Sequence, residues 1–133
     1  MTEIVDRPRL LLEICKKRGI LVATAESCTG GMIVSLMTDL PGSSSMVDRG
    51  FVTYSNEAKM DMLGVSSATL EKYGAVSEQT ALEMAAGALE RSRAGLTLSV
   101  TGIAGPDGGS AEKPVGLVWF GVALKGQAPR AEH

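Results

Sequence analysis

Four consecutive side chains, Glu26, Ser27, Cys28 and Thr29, put a carboxylate, two hydroxyls and a thiol on one short segment, and Gly30 and Gly31 follow directly. That is more reactive and hydrogen-bonding chemistry than a turn requires. Ser27 can be an acyl-transfer nucleophile or the cap of a following helix. Cys28 can be a thiol acidified at a helix N-terminus or a small buried hydrophobe. The sole histidine is His133, the last residue. A Ser-His-Asp or Cys-His arrangement inside the fold is thereby excluded, and any nucleophile needs another base. Lysine is the obvious choice.

Lys59, in the segment YSNEAK, falls in the first turn of a helix expected to start at Asn56. A cation there opposes the helix dipole, which favours the neutral, basic amine. The alternative is a solvated surface charge. Tyr54, just ahead of that helix, either points its phenol into the same cleft or packs at a strand end. Thr101 ends an apolar run and opens the loop GIAGPDGGSAEKP. The glycines of that loop, Gly102 and Gly105 foremost, can line a pocket with backbone N–H groups or merely connect two strands. Their spacing matches neither GxGxxG nor the phosphate-loop pattern GxxxxGK[ST], so no dinucleotide or ATP site is supported.

Strands and helices must position these groups. A helix is expected to start near Asp6 and Pro8 and to close at Gly19 after Lys16, Lys17 and Arg18. Apolar residues then give a strand over about 20–25, and helical spacing resumes over 30–39, stopped by Pro41 and Gly42. A second strand falls near 48–54 and short helices over 56–63 and from Ser66 or Ser67 to Tyr73. Ser77 caps the clearest helix, EQTALEMAAGALERSRAG. LTLSVT at 96–101 and VGLVWFGVAL at 115–124 are the remaining strands. This alternation defines an α/β layered sheet. The glycine loop joins two strands with no helix between them, so the sheet includes an antiparallel step and is mixed. After residue 124 the chain runs GQAPRAEH, where such a domain usually places another strand or a covering helix. The chain is expected to be a single domain, 1–133, lacking a final segment.

With 133 residues and 44% hydrophobic content the chain can bury a core of its own, and with 4% aromatics that core is aliphatic. A net charge of −2, with acids and bases interspersed, argues against a nucleic-acid groove. Cys15 and Cys28 form no CxxC pair, and no His/Cys cluster exists, so no metal site is expected. The N-terminal segment MTEIVDRPRL is charged where a signal peptide is apolar, and no run of the length needed to span a membrane occurs. No membrane contact is expected, and a cytoplasmic protein is.

Four segments together resemble one family: ATAESCTGG at 23–31, GFVTYSNEAKMDMLGV at 50–65, GAVSEQTALEMAAGA at 74–88 and SVTGIAGPDGGSAEKPVGLVW at 99–119. They are similar, in order, to segments of the CinA C-terminal domain family, whose enzymatic members are nicotinamide mononucleotide deamidases. The resemblance implies a three-layer α/β/α sandwich on a mixed, mostly parallel sheet. It implies hydrolysis of the carboxamide of that small-molecule nucleotide to nicotinate mononucleotide and ammonia, in pyridine nucleotide salvage, with no metal or cofactor. By motif, Ser27 would be the nucleophile and Lys59 its proton acceptor, with Tyr54 and Thr101 holding or polarising the substrate. Thr29, Gly30, Gly31 and the turn 102–105, with Gly102 and Gly105, would donate to substrate oxygens. A homo-oligomer is expected.

Two departures stand beside the resemblance. Family members often carry a separate N-terminal domain, which this sequence lacks. The family also continues into a segment that supplies an arginine to the site, followed by a final helix, and this sequence ends before it. A nucleotide-binding or regulatory module of the same fold, without turnover, is the alternative reading.

Overall fold

The computed structural model describes residues 2–133, with side chains from Arg7 onward. A five-stranded sheet, in the order β2-β1-β3-β4-β5, carries helices on both faces. Its parallel core is β1 (Val22–Glu26) between β2 (Val47–Val52) and β3 (Leu96–Gly102). Beyond it β4 (Val118–Leu124) and β5 (Arg130–Glu132) run antiparallel to their neighbours. The mixed sheet is therefore as expected, and the three parallel strands direct their carboxyl ends to one edge.

One face is covered by α1 (Thr2–Arg18) and α2 (Met32–Thr38), over a core of Leu12, Cys15, Val22, Met37 and Met46. The other holds α3 (Asn56–Leu63), α4 (Ser67–Tyr73) and α5 (Glu78–Glu90), over Ala25, Leu63, Val65, Leu70, Met84 and Ala88. On β3 the alternation of LTLSVT sorts apolar residues from hydroxyls. Thr97 and Ser99 face α5 and donate to the carbonyls of Ala85 and Ala81, both at 2.7 Å. This gives two buried hydroxyls acceptors without disturbing the sheet ladder. Close approach of the two layers also depends on Gly121, across from Ser99: a Cβ there would collide with the Ser99 hydroxyl and the Ala81 carbonyl.

Three serines set helix starts through local chemistry. The side chains of Ser55, Ser66 and Ser77 accept N–H groups of the first turns of α3, α4 and α5. Other boundaries depart from expectation. The first helix begins at Thr2 and runs through Pro8, which removes one N–H donor without ending the helix. Ile20 N–H closes that helix by bonding the Cys15 carbonyl, so β1 starts at Val22 and not at residue 20. Residues 115–117 belong to the glycine loop, where Gly116 N–H bonds the Ile103 carbonyl at 2.7 Å, and β4 begins only at Val118. The tail expected to end without a further element instead turns at Gly126 and adds β5, with Ala131 opposite Gly121. No helix among the described residues is long and apolar enough to cross a membrane.

Candidate active site

The three parallel strands deliver the candidate residues to one edge because each changes direction there. Ser27 directly follows β1, Tyr54 lies just past β2, and Thr101 and Gly102 end β3. Sheet pairing runs one residue beyond β1: Ser27 N–H donates to the Val100 carbonyl at 2.9 Å, and Thr53 N–H to the Glu26 carbonyl at 2.8 Å. The Glu26–Ser27 peptide is thus held on both sides, by its carbonyl to β2 and its N–H to β3, before any side chain is considered.

Lys59, from the first turns of α3, reaches back to it. Its Nζ lies 3.0 Å from Ser27 Oγ, 3.1 Å from the Thr53 carbonyl and 3.2 Å from the Tyr54 carbonyl. The Ser55 carbonyl is 3.5 Å away. Lys59 is 1% exposed, an extreme value for a lysine. Burial lowers its pKa, with the nearby Cys28 thiol opposing. The cause is thus loss of water around the amine and not the helix dipole invoked from the sequence. A neutral amine has two N–H donors and one lone pair. In the structure the amine donates to Ser27 Oγ and to the carbonyls of Thr53 and Tyr54, and the Ser27 hydroxyl donates to the Tyr54 carbonyl at 3.4 Å; once the amine is neutral, its lone pair is available to that hydroxyl hydrogen.

Cys28, half-buried beside Ser27, has its thiol pushed up by burial, although backbone N–H groups and Lys59 partly oppose this. It is therefore a protonated thiol near neutral pH, contrary to an acidified nucleophile. Ser27 is not a helix cap either. That task falls to Glu26, whose position at the strand end gave no sign of it beyond an acid preceding a helix. Glu26 is buried, and its carboxylate accepts from Thr29 Oγ1 at 2.6 Å, Ile33 N–H at 2.9 Å and Val34 N–H at 3.0 Å. Burial opposes its charge, but those bonds and one from Gly31 N–H together hold its pKa below the usual carboxylate value. Glu26 thus anchors α2 and fixes the turn that carries Ser27.

Because its folded pKa is depressed, Glu26 contributes stability that is present above its unfolded pKa and lost as pH falls through the folded one. Glu26→Gln should lower stability by about 1–3 kcal/mol at pH 7, since a neutral amide cannot accept as well from Thr24, Thr29, Gly31, Ile33 and Val34 together. The deficit should shrink in acid. Urea unfolding of both forms from pH 7 down to pH 3 checks this, and an equal deficit at both ends would remove the charged-anchor account.

Ser27, Lys59, Tyr54, Thr101, Gly102 and Gly105 line one cleft, about 330 Å³, joined by Cys28 and by residues sequence reasoning had passed over, Asn56, Ala75, Val76 and Asp107 among them. Thr101 is buried and donates its hydroxyl hydrogen to the Ala75 carbonyl at 2.8 Å, which fixes its rotamer and leaves its oxygen able to accept. Tyr54 contributes its carbonyl to Lys59, while its side chain is 76% exposed. Gly102 lets the loop close on Val118 and the Leu117 carbonyl, which a Cβ would strike. Thr29, Gly30 and Gly31 are not among the residues lining this cleft. The Thr29 hydroxyl is engaged by Glu26, Gly30 N–H donates to the Ser27 carbonyl at 3.1 Å, and Gly31 N–H is turned to Glu26. The N–H groups of Cys28 and Thr29 have no carbonyl or carboxylate acceptor among the described residues. Nor do the described residues bring together three or more His, Cys, Asp or Glu side chains that could hold a metal ion.

Fold and site together define an α/β protein with a buried serine–lysine pair at the carboxyl edge of three parallel strands. The chain belongs to the CinA C-terminal domain family, whose pattern it matches over residues 7–133. It is 64% identical over 110 residues to the nicotinamide-nucleotide amidohydrolase PncC of Enterobacter agglomerans, covering 83% of this chain and 67% of that protein. With the PncC of Escherichia coli strain K12 it shares 54% identity over 122 residues, covering 92% of this chain and 74% of that one. The crystal structure of the competence/damage inducible protein CihA from Agrobacterium tumefaciens superposes with a TM-score of 0.94 at 54% identity, over 97% of this chain and 78% of that one.

Proposed function

We propose that this chain hydrolyses the carboxamide of nicotinamide mononucleotide to nicotinate mononucleotide and ammonia, with Ser27 as nucleophile and Lys59 as its base, in pyridine nucleotide salvage. The observation that carries the reading is the 3.0 Å contact between the amine of a lysine 1% exposed and the hydroxyl of Ser27. Two relatives named as nicotinamide-nucleotide amidohydrolases, at 64% and 54% identity, support the choice of substrate.

In this reading the neutral Lys59 amine takes the Ser27 hydroxyl proton as Oγ attacks the amide carbon. The oxyanion that forms needs donors, and the N–H groups of Cys28 and Thr29, which face only the weakly accepting Cys28 sulfur, are the nearest in sequence to the nucleophile. The ammonium of Lys59 then returns its proton to the departing nitrogen, and ammonia leaves behind a serine ester. Water, deprotonated by the same amine, hydrolyses that ester and regenerates Ser27. One base serves both half-reactions, so no histidine is required. The direct test is ammonia release from the purified chain incubated with nicotinamide mononucleotide, read by a coupled assay. Ammonia and nicotinate mononucleotide in equal amounts are expected, and their absence would sink the amidase reading.

A further inference from the structure

Only two charged side chains line the cleft among the described residues, Lys59 and Asp107. Lys59 has to be neutral to accept a proton from Ser27, so the working cleft carries the charge of one carboxylate. Asp107 sits in the turn Pro106-Asp107-Gly108, between Gly105 at φ 82° and Gly108 at φ 92°. An aspartate in such a turn ordinarily bonds its own backbone. Here the Asp107 carboxylate accepts no hydrogen bond or ion pair among the described residues, and it is exposed beside the cleft. On the same cleft the Tyr54 ring is 76% exposed, with its hydroxyl likewise bonded to no described residue. An exposed aromatic ring and an unengaged carboxylate, flanking a serine that attacks amides, form a surface suited to a flat cation.

We propose that Asp107 and Tyr54 select a cationic, N-substituted pyridinium ring over its neutral, reduced dihydropyridine form. The inference rests on the amidase reading for the identity of the ring, and deepens it by naming what the cleft recognises. Nicotinamide mononucleotide carries its positive charge on the ring that bears the scissile carboxamide. Seating that carboxamide at Ser27 necessarily brings the charge into the cleft that Asp107 lines. The Tyr54 ring, exposed on the same cleft, is available to the same cation. The reduced nucleotide has the same carboxamide, ribose and phosphate, and lacks only the charge. It is therefore the control that isolates this term. Asp107 acts here as a recognition residue, without part in the proton transfers.

The reduced ring is also a poorer electrophile, so the experiment reads binding and not turnover. Isothermal calorimetry on Ser27→Ala, which leaves Asp107 and Tyr54 in place, gives dissociation constants for oxidised and reduced nicotinamide mononucleotide. The oxidised form should bind about ten-fold more tightly, the sum of a partly exposed ion pair and a cation–π contact. In Ser27→Ala/Asp107→Asn that preference should fall to about three-fold, while affinity for the reduced form stays the same and reports an intact cleft. A preference unaffected by Asp107→Asn overturns the proposal, as does equal binding of the two forms or binding of neither. Ammonia release by the unaltered chain is measured separately. A chain that binds selectively yet releases no ammonia would sink the amidase reading and leave the cation selectivity standing.

Discussion

Ser27→Ala should reduce ammonia release by about 10³-fold or more in kcat, while the protein folds as before. The expectation follows from where the hydroxyl sits. Ser27 Oγ receives Lys59 at 3.0 Å and has no role in capping α2, since Glu26 does that. Removing it costs the bond from Lys59 and the long 3.4 Å bond to the Tyr54 carbonyl, about 1–2 kcal/mol together. Lys59 keeps the carbonyls of Thr53 and Tyr54. Cys28→Ser is the matched control one residue along. Its thiol is held protonated by burial, so its replacement should leave most of the activity. Steady-state rates with thermal melts for both variants check the pair. An inactive Cys28→Ser alongside an active Ser27→Ala would transfer the chemistry to the thiol.

The parts of this architecture that depend on short-range chemistry were legible before any coordinates. Ser66 and Ser77 cap helices because an oxygen placed before a helix finds N–H groups within a few residues. The antiparallel step between β3 and β4 followed from a linker too poor in helix formers to make a crossover. What escaped depends on distant partners. Arg130-Ala131-Glu132 has no strand signature, and becomes a strand only because β4 offers an unpaired edge. The first helix passes Pro8 because a proline signals a start only by local preference.

The site divides along the same line. Residue type marks Ser27 and Lys59, but the sequence offers only the helix dipole, a local effect, as a reason for the lysine's basicity. The structure assigns it to burial, which is a property of the packed strands and of Lys59 at 1% exposure. Glu26 stands out in the sequence only as part of a reactive cluster, and its engagement with the N–H groups of α2 needs the turn at Gly30 and Gly31 to bring them round. Asp107 carries no signal in the sequence, because a Pro-Asp-Gly turn is common and its proximity to Ser27 arises only when β1 and β3 pair.

Lys59→Met and Lys59→Arg should each lose about 10²–10⁴-fold in kcat, the usual contribution of a positioned base, yet differ in stability. Methionine fills the same buried channel without a charge to desolvate, so Lys59→Met should be as stable as the parent at pH 7 or more so. Arginine remains protonated at any accessible pH and brings five donors to a site with three carbonyls, so Lys59→Arg should be clearly less stable. The pH behaviour separates these accounts further. Burial lowers the folded-state pKa of Lys59 from 10.5. Between that lowered value and 10.5 the unfolded chain binds more protons than the folded one, so the contribution of Lys59 to stability rises with pH across that window. Lys59→Met should abolish this rise. In the parent, kcat/KM should climb with pH through the same lowered pKa, because only the neutral amine accepts the Ser27 proton. Melts and rates of all three forms at pH 6–10 provide the check. An arginine variant with a near-normal rate would leave Lys59 an electrostatic part only, and an acidic limb absent from the parent would mean that its amine is not the base.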